Sequence, residues 1–362
     1  MIKNIIRYAE VQNCSDIHIA QNQIVSVRKR GDIIFLSQYD KVNVFEIEKF
    51  LQETVGIDLD MLSHSGDIDT ACTFEGKRLR ANIYKSIDGI CIALRLLNDE
   101  IPTIEQLRLP KEIYAFTKMK SGLVLIIGTT GSGKSTTLAS ILDEINRTQT
   151  VNIITVEDPV EYLHKSKQSR IMQREVGMHV PSFEAAVRSA MRQDPDVILV
   201  GELRDLETIS NAITLAETGH LVFATLHAKS VAETVDRLID VFPSIGQDQI
   251  RIQLSSVLRG VLHQRLVPDT KKGRLPLVEL MMVDDVISSM IKQKQKPNAL
   301  RDYIRSKKDT GCIHLVDNIV AHIKNGNLDY TTVKFMLSVE DYKLLESIMT
   351  SCTVKRGVGY GY

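Results

Sequence analysis

The sequence predicts an α/β chain in two parts: an α+β unit, then a parallel sheet covered by helices, with a helical region at the end. Three observations predict it. Short strand-like segments punctuated by turn residues fill the first hundred positions. From Gly122 onward, apolar runs of four to six residues alternate with helical patterns, as in strands buried on both faces. A glycine-rich stretch at 128–136 stands between one such run and one such helix.

Residues 2–12 carry Ile2, Ile5, Ile6 and Ala9 at helical spacing. Segments 17–20, 24–28 and 33–36 read as strands, with Arg30-Gly31-Asp32 turning between the last two. Residues 44–55 read as a helix, and 78–84 and 90–96 as strands joined at Asp88-Gly89. These make a first domain over 1–97. Pro102 and Pro110 mark 98–110 as a linker. The core, 111–268, contains apolar runs at 123–127, 151–156, 197–200 and 221–225 and helical patterns at 138–145 and 209–217. After Pro268 the chain becomes more polar and helical, so 269–362 is expected to be a helical C-terminal region.

A chain of 362 residues has room for two domains and a sizeable core. Lys plus Arg and Asp plus Glu are 45 each, which argues against a polyanion binder that works by excess cations, so no nucleic-acid partner is expected. No apolar run reaches the ~18 residues of a membrane span, and the N-terminus is amphipathic rather than a signal-peptide core. Cys14, Cys72, Cys91, Cys312 and Cys352 are odd in number and form no CxxC, which reads as free thiols in a reducing cytoplasm.

Gly128-Thr129-Thr130-Gly131-Ser132-Gly133-Lys134-Ser135-Thr136 fits G-x-x-x-x-G-K-[ST] in the strand–loop–helix setting the motif requires. Its glycines let backbone N–H groups turn inward around an anion, and the helix N-terminus adds partial positive charge. Lys134 is then expected on the β- and γ-phosphates of a nucleotide, and the Ser135 hydroxyl on Mg²⁺.

Other candidates sit where apolar runs end. Gly201-Glu202 follows 197–200. Glu202 is placed either to orient and deprotonate a water for attack on the γ-phosphate or simply to pair with Arg204. Glu157-Asp158-Pro159 follows another run. The two carboxylates suit Mg²⁺ held through water, or a solvated turn. His227 follows 221–225, either sensing the γ-phosphate or serving structure. Arg80 and Arg95 lie on neighbouring strands, with Arg78 on the face of Arg80. They either complete a phosphate site or face solvent.

From about Ser15 to Glu279 the chain resembles the type IV pilus retraction ATPases (PilT type) of the type II/IV secretion ATPase superfamily. The resemblance is carried by Ser15-Asp16-Ile17-His18-Ile19, by Thr155 to Tyr162 (similar to the Asp box), by Gly201-Glu202-Leu203-Arg204-Asp205 (similar to an atypical Walker B), and by Glu217-Thr218-Gly219-His220 through His227 to Asp236-Arg237 and Asp240-Val241-Phe242-Pro243. It implies a PAS-like N-terminal domain, a RecA-like P-loop ATPase domain, ATP and Mg²⁺ as ligands, and a homo-hexameric ring. By position it makes Glu202 the catalytic glutamate and His227 the His-box histidine, and Arg80 and Arg95 the arginines that approach the γ-phosphate. The oxygens available to Mg²⁺ are those of Ser135, Glu157, Asp158 and Glu202.

The implied function is a motor for pilus retraction and twitching motility. It would lie at the cytoplasmic face of the membrane at the pilus base, peripheral and not embedded. Its partners would be an inner-membrane platform protein and a paralogous pilus ATPase. Pilus extension and type II secretion ATPases are the alternatives within the superfamily, and the absence of a four-cysteine module favours retraction. At 286–293 the chain departs from the family helix AIRNLIRE, with Ser288 for the first Arg and Gln293 for the final Glu. That keeps open a non-hydrolysing, nucleotide-gated regulator of a partner ATPase.

Overall fold

The structure, a computed structural model, describes residues 1–357 apart from 98–99, 272, 308–309 and 335, and the side chains of all these except 63–65 and 351–357. The start of the expected linker, the Cys352 side chain and the last five residues thus lie outside the described residues. The chain forms two compact units. One comprises Met1–Ile101 with Val156–Lys165 and Gln173–Ser182; the other comprises Pro102–Thr155, Ser166–Met172 and Phe183–Tyr362.

The first unit contains an antiparallel sheet of six strands: β1 (Asp16–Ala20), β2 (Ser26–Lys29), β3 (Asp32–Phe35), β4 (Asp67–Phe74), β5 (Lys77–Ser86) and β6 (Gly89–Leu96), in the order β3-β2-β1-β6-β5-β4. Helix Ile2–Val11 buries Ile2, Ile5, Ile6 and Ala9, the predicted stripe. The expected helix over 44–55 divides: Asn43 caps Val44–Phe50, which runs into a π-helical turn, Leu51–Val55, closed by Gly56 at φ +79°. Strand β4 is not foreseen, because Thr70, Ala71 and Cys72 are buried consecutively and the alternation that marks a half-buried strand is lost. Helix Leu59–Ser65 is also unforeseen.

The second sheet has seven strands: β7 (Gly122–Ile127), β8 (Asn152–Glu157), β9 (Arg170–Glu175), β10 (Val197–Val200), β11 (Leu221–Leu226), β12 (Leu258–Pro268) and β13 (Arg274–Met282), in the order β13-β12-β7-β11-β10-β8-β9. Strand β7 pairs parallel with β11 and β12, and β11 with β10; β13 runs antiparallel to β12. Every residue of β7 and β11 is buried. Leu123, Leu125 and Ile127 join the apolar cluster on one face, and Val124 and Ile126 that on the other. Each such side chain contributes about 1.5–3 kcal/mol by leaving water, which makes β7 a rigid base for whatever its end carries.

Two sequence expectations need correction. The stretch after Pro268 is not wholly helical, since β13 precedes the helices. Pro276 sits within β13, at the sheet edge, where a missing N–H interrupts no ladder. The described part of the expected linker is not a free connection either: Ile104 and Leu109 are buried in the second unit's core. The helices that follow are Asp285–Lys292, Pro297–Ser306, Leu315–Lys324, Tyr330–Val333 and Val339–Gly357. In the first of these, Ile287 and Ile291 are buried as the helical pattern requires, and Ser288 Oγ donates to Ser255 O at 2.5 Å. The serine that departs from the family pattern is thus tied into the packing. No helix among the described residues is long and apolar enough to cross a membrane.

Candidate functional site

The glycine-rich loop leaves the buried strand β7 and enters helix Lys134–Thr148. That helix starts on Gly133 in a left-handed conformation with no side-chain cap, so its first N–H groups have no acceptor from a capping residue. A Cβ at Gly128 (φ +148°) would lie 2.6 Å from Ser132 Oγ, and one at Gly133 (φ +87°) 2.8 Å from Gln264 Nε2, so both positions exclude a side chain. Thr129, Thr130, Gly131 and Ser135 are exposed and Thr136 is half-buried, while Ser132 is buried beneath. Lys134 Nζ donates to Gly128 O at 2.9 Å and to Thr129 O at 3.0 Å, which holds the ammonium across the loop.

Parallel pairing brings three strand ends to one edge of this sheet. Gly128 follows β7, His227 follows β11 and Gly201-Glu202 follows β10, in adjacent strands. The last two ends are laced together: Leu203 N donates to Thr225 O at 2.9 Å and Thr225 Oγ1 donates to Gly201 O. Glu202 Oε1 lies 3.2 Å from His227 Nε2, and Oε2 accepts from Arg204 Nε and Nη2 at 2.8 and 2.7 Å. The local pair with Arg204 therefore exists alongside the pair with His227. Asp205 caps helix Leu206–Glu217 through Thr208 N at 2.7 Å, so the sequence after Glu202 serves structure.

The remaining candidates lie in the first unit. Arg80 and Arg95 are directly opposite in register on β5 and β6, which puts them on one face. Arg80 is bound by Asp69 and lies 3.8 Å from Glu161; the hydrogen bond it donates to Asp69 raises its pKa further. Arg95 Nε meets Asp16 Oδ1 at 2.9 Å. Burial pushes Asp16 up, but hydrogen bonds from Arg95 and Ser15 outweigh it and hold the carboxyl below its ordinary range. Arg78 instead meets the buried Glu175 at 2.7 Å. Glu157 Oε1 accepts from Gln173 Nε2 at 3.2 Å, and Asp158 adds to the negative field on Arg80. Among the described residues, no three His, Cys, Asp or Glu side chains form a metal cluster.

The family model for type II/IV secretion system proteins matches residues 1–333. The chain belongs to that family. Among its relatives, an uncharacterized Escherichia coli protein named YggR is 38% identical over 329 residues, covering 90% of this chain and 99% of its own. The type IV pilus retraction ATPase PilT of Pseudomonas aeruginosa is 37% identical over 299 residues, covering 81% and 85%. Among solved structures, the pilus retraction motor PilT with bound ADP superposes with a TM-score of 0.78 at 38% identity, covering 88% of this chain and 96% of that one.

This secretion-family chain also contains a residue at its phosphate loop that the sequence did not disclose. Gln264, on β12, is buried; its Nε2 donates to Ser132 O at 2.7 Å and its Oε1 accepts from Thr137 Oγ1 at 2.7 Å. One amide thereby holds the loop and the helix that follows it. Its position comes from the parallel pairing of β12 with β7, where His263 stands opposite Ile127. Nothing in the sequence around it, where Arg259, His263 and Arg265 are also polar, singles it out.

Proposed function

We propose that this chain is an ATP-hydrolysing motor of the pilus-retraction kind, working as a six-membered ring with Mg²⁺ at the cytoplasmic face of the membrane. The reading rests on one observation: phosphate loop, Glu202 and His227 leave the same end of three adjacent parallel strands, in a chain 37% identical to a pilus retraction ATPase. In this reading Lys134 exchanges its two loop carbonyls for phosphate oxygens, and the uncapped helix start donates to the same group. Glu202 orients the attacking water and accepts its proton, while His227 fixes one carboxylate oxygen. Arg80 and Arg95 are the residues of the first unit to which this reading gives a part in hydrolysis.

The donor set suits a hard divalent cation, because Ser135 offers a hydroxyl oxygen and Glu157 and Asp158 offer carboxylates that act through water. When bound, Mg²⁺ neutralises charge on the phosphates. Glu202, whose two oxygens also meet Arg204 and His227, is the remaining carboxylate proposed for the cation as well as for the attacking water. The work of hydrolysis would be delivered to an inner-membrane pilus platform, with a paralogous pilus ATPase as a further partner.

Two measurements test this. ATP turnover should collapse in Lys134→Ala and in Glu202→Ala; wild-type turnover in either would defeat its assigned role. Cells lacking the protein should keep excess surface pili, and a bald phenotype would point to extension instead.

A further inference from the structure

Strand β12 carries two consecutive residues, Gln264 and Arg265, that serve opposite faces. Gln264 holds the phosphate loop. Arg265 sends Nη2 to Lys229 O at 3.3 Å and Nη1 to Met336 O at 3.0 Å. Lys229 lies two residues beyond His227, and Met336 lies between the last two helices of the C-terminal part. A guanidinium is a rigid planar fork, so the direction of one of its bonds fixes the direction of the other.

The same turn is held a second time from the neighbouring strand. Glu279, opposite His263 in the β12–β13 register, accepts from Val231 N at 3.3 Å. Val231 begins helix Val231–Ile239, which Ser230 caps. The C-terminal helices pack on this hairpin as well: Val267, Leu275 and Leu277 share an apolar cluster with Val316, Ile319 and Leu345. The turn that carries His227 is therefore fastened to the hairpin, and through Arg265 to the segment that leads into the last helix.

We infer that Arg265 is a positioning residue: it ties the His227 turn to the C-terminal helices, so that displacement of those helices is felt at the Glu202–His227 pair. This rests on the reading that His227 assists hydrolysis.

The experiment uses the full chain, with steady-state ATP hydrolysis and titration with a fluorescent ADP analogue. Arg265→Met keeps side-chain length but removes both donors. It should lower kcat about ten- to a hundredfold, as a misplaced group does, and leave ADP affinity within about twofold. Arg265→Lys, which has a single ammonium in place of the fork, should recover part of kcat. The double variant Arg265→Met/His227→Ala should be no slower than His227→Ala alone, because a residue acting through another adds nothing once that other is gone.

An unchanged kcat in Arg265→Met, or losses that multiply in the double variant, would overturn the role. A slow His227→Ala with a normal Arg265→Met sinks this inference alone. A normal His227→Ala sinks the reading beneath it and this inference with it. If Arg265→Met loses ADP binding through misfolding, the same cycle run with Arg265→Lys decides by the same criterion.

Discussion

The imidazole Nε2 of His227 stands 3.2 Å from Oε1 of Glu202, while Arg204 takes the other carboxylate oxygen. The two partners are unequal. Arg204 is 63% exposed and belongs to the same short loop, so its ion pair is screened by water. His227 comes from the adjoining strand and fixes the carboxylate relative to the sheet. His227→Ala should therefore cost about tenfold or more in kcat at unchanged KM, and Arg204→Ala a few-fold at most. Steady-state kinetics on the two variants checks the order; equal losses would refute it.

Gln264→Leu should weaken both fold and site. It leaves Ser132 O and Thr137 Oγ1 facing an apolar side chain, at about 1–3 kcal/mol for each lost partner. Urea unfolding should show the loss, and ADP affinity should fall with it because the loop is no longer held. Gln264→Glu should be no better, since a carboxylate has no donor for Ser132 O. A variant as stable as wild type with normal ADP affinity would show that the amide is incidental.

Arg80→Ala and Arg95→Ala should separate catalysis from stability. Their ion pairs are 35% and 63% exposed on the arginine side, so each is worth no more than about 1 kcal/mol to folding. An arginine that meets a transferring phosphoryl group is worth about 10³–10⁵ in rate. A thousandfold loss of turnover with an almost unchanged melting temperature is expected. Small and equal effects on both would return these arginines to the solvated surface of their strands.

A pH dependence of stability should emerge when Glu279 is removed. Burial lifts Glu279 to about 7 from an ordinary 4.5. Between those values the folded state keeps a proton that the unfolded state has lost, so stability falls as pH rises. His263 opposes it: burial lowers it from 6.5 to about 4, the unfolded state binds the extra proton, and stability rises with pH across that window. In the wild type the two slopes largely cancel. Glu279→Gln removes a contribution of about 3 kcal/mol across its window and should leave stability rising from about pH 4 to 6.5. Urea unfolding at a series of pH values checks this, and a flat profile in the variant would contradict it.

What the sequence disclosed and what it hid divide along a physical line. The phosphate loop is legible because its demands are local: glycines at 128, 131 and 133, Lys134 and Ser135 follow one another, between a strand and a helix that also declare themselves by pattern. Strands β7, β10 and β11 are legible as unbroken apolar runs, because both faces are covered. Gln264 was invisible because its meaning comes from a strand pairing formed across more than a hundred residues, and Arg265 because its two carbonyl partners lie 36 and 71 residues away. Strand β13 was missed because proline argues against a strand unless the strand is known to be an edge. Glu175 went unremarked because nothing near it in sequence announces Arg78, Thr70 and Ala71 as its partners.

The interrupted membership of the first unit has a practical consequence for anyone who wishes to isolate it. A gene truncated near residue 101 would omit residues 156–165 and 173–182. With them would go Glu175, whose carboxylate side chain is 2% exposed and receives Arg78 at 2.7 Å and Val160 N at 3.1 Å. Such a fragment would strip β5 of its deepest anion and expose the sheet face that Glu175 serves. Faithful dissection of this protein therefore calls for spliced or permuted fragments; a single cut in the chain yields two incomplete bodies.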